Sequence, residues 1–462
     1  MTIHSSLTDV KQIHFIGVYG ISLSSLAILS AHRGYAVSGS DSGEGSGSRR
    51  NALADAGITV FTGNSPENLP TALPPEQVAV VYTSAVTEDN AELRAARARG
   101  MRIFGRTEFM ELMTADIPTR IGVAGTHGKS TVCGMLAEIF IAAELDPSIL
   151  CGAELPSIGG TLRIGSGERV IYEACEYKNS FLKLHPTHAV VTNIEEDHPD
   201  FFKDISEIRR SFYQYAEGTE SVTVCTDGEE GRKLAAHMGS NATTCSVTSK
   251  NADYFQRHAH AELGRYSFTL YHRGTELCTI SLKTVGRHNM QNAVTAAAVA
   301  IENGISPELV KKGLEAFTGV RRRMEYRGTV NGAVIYDDYA HHPTEIRATL
   351  SAAKSMGFDR VICAFQPHTY SRTAKLFHEF TNAFSCADQV IFADIYAARE
   401  TNTYGVHSRD LAAATPNAIY LPTPELIAEY LREHASPNVL LLTVGAGVLD
   451  RVADIILKDR NE

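Results

Sequence analysis

Residues 125–131 read Gly-Thr-His-Gly-Lys-Ser-Thr. They follow an apolar run at 120–124 and precede residues 132–143, whose apolar positions recur at helical spacing. A strand that turns through glycines into a helix, with Lys and Ser at the turn, suits a nucleoside triphosphate. Glycines let backbone N–H groups close on phosphate, and the helix N-terminus adds partial positive charge. Lys129 is spaced to reach the terminal phosphates and the Ser130 hydroxyl to meet a Mg²⁺ ion. Gly125, Thr126, His127, Gly128, Lys129, Ser130 and Thr131 are therefore candidate ATP-binding residues. The usual Gly-x-x-x-x-Gly-Lys-Ser/Thr spacing is not met, because position 123 is Val.

Two further strand patterns end in polar clusters. Residues 170–172 run into Glu173-Ala174-Cys175-Glu176, and 190–192 run into Asn193-Ile194-Glu195-Glu196-Asp197-His198. Ligands of open parallel sheets gather at the carboxyl ends of strands, so these clusters and the phosphate loop can converge. A carboxylate, an imidazole and a Ser hydroxyl around a triphosphate suit Mg²⁺ or Mn²⁺. Zinc fits worse, because no thiolates are grouped nearby. Later come Asp337-Asp338-Tyr339-Ala340-His341-His342 and Gln366-Pro367-His368-Thr369-Tyr370-Ser371-Arg372, each after a strand pattern. A carboxylate so placed can hold a ribose hydroxyl, and an Arg beside a His can hold a small carboxylate. Arg322 and Arg323 lie where they can reach across a domain junction to phosphates. Taken singly, each cluster also fits an ordinary solvated loop or turn.

The elements that must position these residues fall into three α/β units. The first opens with a strand at 13–17, a helix at 23–33 and a strand at 35–39 ending on Ser40-Asp41, the plan of a nucleotide-binding βαβ unit. Strands follow at 78–82 and 102–104, and the Gly/Ser-rich stretch 42–48 reads as a loop. The second unit begins near Ile117, with strands at 170–172 and 188–192, short β-rich runs at 221–225, 265–271 and 277–282, and helices at 289–303 and 307–317. The third starts near Gly319, with strands at 333–336, 361–365, 389–393 and 439–444. This alternation predicts largely parallel sheets covered on both faces. The expected domains are 1–114, Rossmann-like; 115–318, P-loop ATPase-like; and 319–462, Rossmann-like.

The chain has 462 residues, 44% hydrophobic and 21% charged, enough for about three cored domains. Its net charge of −10 argues against nucleic acid and anionic membrane as partners. Phosphate must then be held by local devices. The eight cysteines form no Cys-x-x-Cys pair, which reads as reduced thiols in a cytoplasmic protein. The first ten residues lack a signal-peptide pattern, and the apolar stretch 439–449 is too short to span a bilayer.

Taken together, the segments resemble the Mur ligases over nearly the whole chain. The resemblance is carried by residues 14–17, 38–41, 125–131, 173–181, 192–198, the 288–293 run His-Asn-Met-Gln-Asn-Ala, 319–325, 337–347, 366–373 and 393–402. Within the family it points to the members that add L-alanine to UDP-N-acetylmuramate, and Glu173-Ala174-Cys175-Glu176-Tyr177 is similar to the Gram-positive form of its motif. The implied reaction uses ATP to phosphorylate the lactyl carboxylate, and the amine of L-alanine then displaces phosphate from the acyl phosphate to form an amide. The implied catalytic residues are Lys129, Glu173, His198 and Arg322, with Ser130, Glu173 and His198 holding Mg²⁺ or Mn²⁺. Asn289 and Asn292 would lie near adenine, Asp337 or Asp338 near ribose, and Arg322 near the phosphates. Gly17, Gly20, Ser40, Asp41, Thr83, Ser84 and Arg106 would hold the UDP-sugar, and His368 and Arg372 the amino acid. A monomer or homodimer without stable membrane association is expected.

The chain departs from the family pattern at several positions. Tyr19, Ser22 and Ser25 stand in the first glycine-rich turn, Thr369 replaces a common Arg, and Val448 follows Gly445-Ala446-Gly447 where Asp is usual. Three other readings compete with this one. A recycling ligase that adds a preformed tripeptide is the nearest. A non-catalytic nucleotide-binding scaffold draws on the thinned first turn. A dehydrogenase draws only on the first βαβ unit.

Overall fold

The computed structural model describes residues 7–458 other than 84, 199, 200 and 399. Its described strands form three sheets in chain order. The first contains β1 (Gln12–Ile16), β2 (Ala36–Asp41), β3 (Thr59–Thr62), β4 (Val78–Tyr82) and β5 (Arg102–Gly105), all parallel in the order 3-2-1-4-5. The order reverses between β1 and β4, so the loops after these two strands splay apart and leave a crevice.

The central sheet contains β6 (Thr119–Ala124), β7 (Ser148–Leu155), β8 (Gly160–Arg163), β9 (Arg169–Glu173), β10 (His188–Val191), β11 (Ser221–Cys225), β12 (Ala242–Ser246), β13 (Tyr254–Glu262), β14 (Arg265–His272) and β15 (Thr275–Val285), in the order 15-14-13-12-11-10-6-9-7-8. β6 lies between β10 and β9, parallel to both. The three polar segments found in the sequence therefore leave adjacent strand ends. β13 to β15 extend the sheet as an antiparallel meander. β13 gave no period-2 signal, because only its first two residues are buried.

The third sheet contains β16 (Glu325–Val330), β17 (Ala333–Asp338), β18 (Arg360–Phe365), β19 (Gln389–Phe392), β20 (Ala418–Tyr420) and β21 (Val439–Val444), in the order 16-17-21-18-19-20, with only the edge strand β16 antiparallel. The stretch read as a loop at 42–48 ends in a helix, Gly47–Asp55, with one buried residue, Leu53. A helix with so little apolar face leaves almost no periodic signal.

The phosphate-loop helix, Lys129–Ala142, buries Val132, Met135, Leu136, Ile139 and Phe140 completely. Each such side chain contributes about 1.5–3 kcal/mol of burial. It packs on the helices Arg287–Glu302 and Pro307–Ala316. Close approach is allowed by a run of buried alanines at 296–298 and by Gly313, where a Cβ would strike the Ile139 backbone. The start of the phosphate-loop helix is thus fixed by a rigid three-helix layer.

Candidate active site

The phosphate loop leaves β6 through Gly125 at φ 140°, and Gly128 at φ 84° caps the helix. A Cβ at Gly125 would collide with the Thr192 side chain, and one at Gly128 would lie 2.6 Å from Asn292 Oδ1. Only glycine meets both demands. The segment after β10 clamps the loop. Asn193 Oδ1 accepts the His127 N–H (2.8 Å), while Asn193 Nδ2 (3.0 Å) and Thr192 Oγ1 (2.6 Å) donate to the His127 carbonyl. The Glu195 N–H donates to Thr126 Oγ1 at 2.9 Å.

Lys129 Nζ donates to the Gly125 and Thr126 carbonyls and pairs with Glu176 Oε2 at 3.0 Å. Burial alone would lower the Lys129 pKa, but Glu176 outweighs it and the ammonium is held above its usual range. On the far side of Glu176, His198 Nε2 approaches Oε1 at 3.6 Å, and the Tyr177 ring lies against the His198 imidazole at 4.7 Å. Burial would raise Glu176, yet Lys129 and His198 keep it below the usual carboxylate value. Lys129, Glu176 and His198 form one contiguous cluster. Glu173 is turned aside and accepts from the Gly152 N–H (2.5 Å) and the Cys151 thiol (3.1 Å). Glu176 is the residue that sequence reasoning passed over. It stands in the same motif as Glu173, but spacing alone does not say which carboxylate faces Lys129.

A cavity of about 380 Å³ opens beside the loop, lined among others by Ser130, Asn289, Asn292, Arg323, Asp338 and Glu345. The third sheet thus supplies its far wall. Of the two expected ribose carboxylates, only Asp338 lines this cavity. It accepts from the Met324 and Ala340 N–H groups at 2.8 Å each, and burial pushes it up. Asp337 faces away, accepting from Arg322 Nε (3.1 Å) and Thr443 Oγ1 (2.6 Å), and burial pushes it up to about 6. Arg322, expected near the phosphates, instead donates to Asp337 and to the Gly445 carbonyl (2.8 Å). Arg323 takes the cavity position and pairs with Glu345 at 3.2 Å.

His368 and Arg372 sit at the seam between the central and third domains. Arg372 Nη2 donates to Asp197 Oδ1 at 2.8 Å, with both side chains about 7% exposed, and the His368 ring nitrogen lies 3.4 Å from Arg372. Burial would raise the Asp197 carboxyl, but Arg372 holds it far below its usual range.

In the first domain a cavity of about 710 Å³ fills the crevice between β1 and β4, lined by Gly17, Tyr19, Gly20, Asp41, Thr83 and Arg106 among others. Asp41 accepts from the Tyr19 N–H (2.9 Å), and Arg106 donates to Ser22 Oγ (3.0 Å). Ser40 is absent from the lining. It is fully buried and donates to Glu92 Oε2 at 2.5 Å. Ser84 lies outside the described residues.

Parallel α/β sheets in series, a phosphate loop on the middle one and a cavity walled by two domains define a multidomain nucleotide-binding α/β protein. The chain belongs to the Mur ligase family, whose models match in series: "Mur ligase family, catalytic domain" over residues 12–117, "Mur ligase middle domain" over 123–300 and "Mur ligase, glutamate ligase domain" over 322–447. The UDP-N-acetylmuramate–L-alanine ligase of Agathobacter rectalis is 43% identical over 453 residues, covering 96% of this chain and 97% of that one. The enzyme of the same name from Acetivibrio thermocellus is 42% identical over 458 residues, covering 97% and 96%. Among solved structures, the UDP-N-acetylmuramate–alanine ligase of Thermotoga maritima superposes with a TM-score of 0.82 at 25% identity, covering 97% of this chain and 99% of that one. The murein peptide ligase of Psychrobacter arcticus shares the fold, with a TM-score of 0.73 at 23% identity and coverage of 97% and 98%.

Proposed function

We propose that the chain is an ATP-dependent amide ligase joining L-alanine to the lactyl carboxylate of UDP-N-acetylmuramate in peptidoglycan precursor synthesis. The observation that carries this reading is the convergence on Lys129: a loop shaped for phosphate, a carboxylate–imidazole pair beside it, and an Arg–His pair across the domain seam. Full-length relatives named for this reaction support it. A carboxylate oxygen of the sugar attacks the γ-phosphorus of ATP, and ADP leaves. The alanine amine then attacks the acyl carbon, inorganic phosphate leaves with the C–O bond, and the amine loses a proton. Phosphoryl transfer of this kind needs positioning and charge neutralisation more than a nucleophilic side chain.

In this reading, Lys129 and the loop N–H groups bind the β- and γ-phosphates. Asn289 and Asn292 face adenine and Asp338 the ribose. Arg323 stands nearer the nucleotide than Arg322, which braces Asp337. The first-domain crevice takes the UDP-sugar through Gly17, Gly20, Asp41, Thr83 and Arg106, and His368 with Arg372 takes the carboxylate of alanine. Ser130, Glu173 and His198 carry the oxygen and imidazole donors that Mg²⁺ or Mn²⁺ takes; Glu176 is the carboxylate that touches His198, and Glu173, held by Gly152 and Cys151, would have to turn to join them. Such an ion would supply charge neutralisation at the phosphates. The domain partition that follows is 1–114 for UDP-sugar, 115–318 for ATP and 319–462 for the amino acid and part of ATP. No helix among the described residues is long and apolar enough to cross a membrane, and we propose a cytoplasmic monomer or homodimer.

Phosphate release tests the proposal, with ATP, Mg²⁺ and UDP-N-acetylmuramate plus either L-alanine or an L-Ala-D-Glu-diamino-acid tripeptide. Release with L-alanine is expected. Release with tripeptide alone would move the assignment to recycling, and silence with both would leave a nucleotide-binding scaffold.

A further inference from the structure

The seam between the central and third domains carries one carboxylate that the proposed chemistry leaves unused. Glu345 sits in the first turn of the helix Pro343–Ser355 and accepts from the backbone N–H groups of His341 (3.0 Å) and His342 (3.4 Å), completing the helix cap. Its other oxygen reaches out of its own domain. Oε1 lies 3.2 Å from Arg323 Nη1 on the linker and 3.2 Å from His127 Nδ1 on the phosphate loop. The Glu345 side chain is only 9% exposed and that of His127 14%. The opposite ring nitrogen, His127 Nε2, faces Glu195 at 3.6 Å. His127 is thus an imidazole between two carboxylates, one from each domain. Burial would lower its pKa, but the two carboxylates outweigh burial and push it up to about 9.

His127, Glu195 and His342 also bring ligand-type atoms within 4.8 Å of one another. Their protons argue against a metal there. His342 Nδ1 accepts the Thr344 N–H (3.3 Å), which puts its proton on Nε2, and both nitrogens of His127 face carboxylates. These imidazoles present N–H groups rather than lone pairs.

The His127 backbone is already locked to its own domain by Thr192 and Asn193. Its side chain is therefore a fixed post, and what Glu345 secures is the third domain. We infer that Glu345 is a positioning residue, which by gripping His127 sets the third domain's half of the nucleotide cavity in register with the phosphate loop. Arg323 and Asp338, on the same side of the cavity as Glu345, are the groups so registered. The inference rests on the nucleotide reading of that cavity.

The test is a double-mutant cycle on the affinity for a non-hydrolysable ATP analogue, by calorimetry. Glu345→Gln keeps the helix cap, because a Gln amide oxygen also accepts the cap N–H groups, but removes the charge opposite both His127 and Arg323. Glu345→Gln and His127→Ala should each weaken analogue binding by about tenfold, the size of one lost charge-assisted contact. The double variant should bind within about twofold of the weaker-binding single variant, because the Glu345–His127 link is already broken in each single variant. Affinity for the UDP-sugar should be unaltered in all of them. Losses that multiply in the double variant, wild-type affinity in Glu345→Gln, or a parallel fall in UDP-sugar affinity would each overturn the inference while leaving the nucleotide reading intact. Wild-type protein that fails to bind the analogue would overturn both.

Discussion

The cavity beside the phosphate loop and the crevice of the first domain are built on different plans. The one beside the phosphate loop is about 380 Å³, is shared between two domains, and is bordered by charges that already have partners: Arg323 with Glu345, and His127 with Glu345 and Glu195, while in the adjoining loop Lys129 is paired with Glu176. The one in the first domain is about 710 Å³, lies within one sheet's crevice, and has Arg106 as its cation among the lining residues. Its glycine-rich turn is also interrupted. The Tyr19 ring covers Gly45, where a Cβ would lie 2.6 Å from the ring, and Arg49 Nη1 donates to the Tyr19 carbonyl at 2.7 Å. In the proposed reading the first plan holds charged groups in place across the seam between two domains. The second is a wide crevice with few fixed charges, proposed to take the UDP-sugar. Tight specification is concentrated where phosphate is to be transferred.

That contrast can be broken most decisively at Lys129. Lys129→Ala should cost at least about 10³-fold in ATP-dependent phosphate release, the scale for losing a group that stabilises transition-state charge. Circular dichroism should show the fold retained. Turnover near wild type would remove the reason for treating the two cavities differently. Next in size, Glu173→Ala and His198→Ala should each raise the Mg²⁺ needed for half-maximal activity by about 10–100-fold. An unaltered metal titration for either would confine the ion to other groups, Glu176 first among them.

A pH series sharpens the seam's part in the comparison. The carboxylates flanking His127 raise its pKa from 6.5 to about 9. Their stabilisation is therefore fully present below pH 6.5 and is lost as pH rises through 9. Between those values the melting temperature of the wild type should fall towards that of His127→Asn. A constant gap across the window would show that the imidazole carries no charge there. The smallest effect is expected in the first domain. Tyr19→Gly should shift the KM for UDP-sugar by less than about tenfold, within the range of a single side-chain contact in a wide pocket, and leave the KM for ATP alone. A larger effect would mean that the wide cavity is as closely specified as the narrow one.

Much of this arrangement was legible from residue order. The strand–turn–helix at 119–142, the βαβ unit that opens the first domain and the polar clusters at the ends of β9 and β10 follow from periodicity and glycine placement. What could not be read was the side to which neighbouring residues turn. Asp337 and Asp338 are adjacent on β17, so the pleat sends them to opposite faces, and only one meets the cavity. Of the two arginines expected to reach the phosphates, only Arg323 lines the cavity; Arg322 (φ 58°) and Met324 (φ 44°) both take left-handed backbone, a turn that basic residues do not announce. Ser40 belongs to a motif that borders the crevice, yet its hydroxyl is recruited by the buried Glu92, more than fifty positions later. Glu176 was obscured by its neighbour Glu173 for the same reason: sequence locates a segment, and packing decides its facing.

The Lys129–Glu176 pair has a kinetic consequence. An incoming triphosphate does not meet a bare ammonium, because the phosphate-loop lysine already holds an anion of its own. Arrival is an exchange in which one negative group displaces another, and the net charge around Lys129 that would draw ATP from a distance is small. Association should therefore depend only weakly on ionic strength, and the rate of capture will be governed by how readily Glu176 lets go.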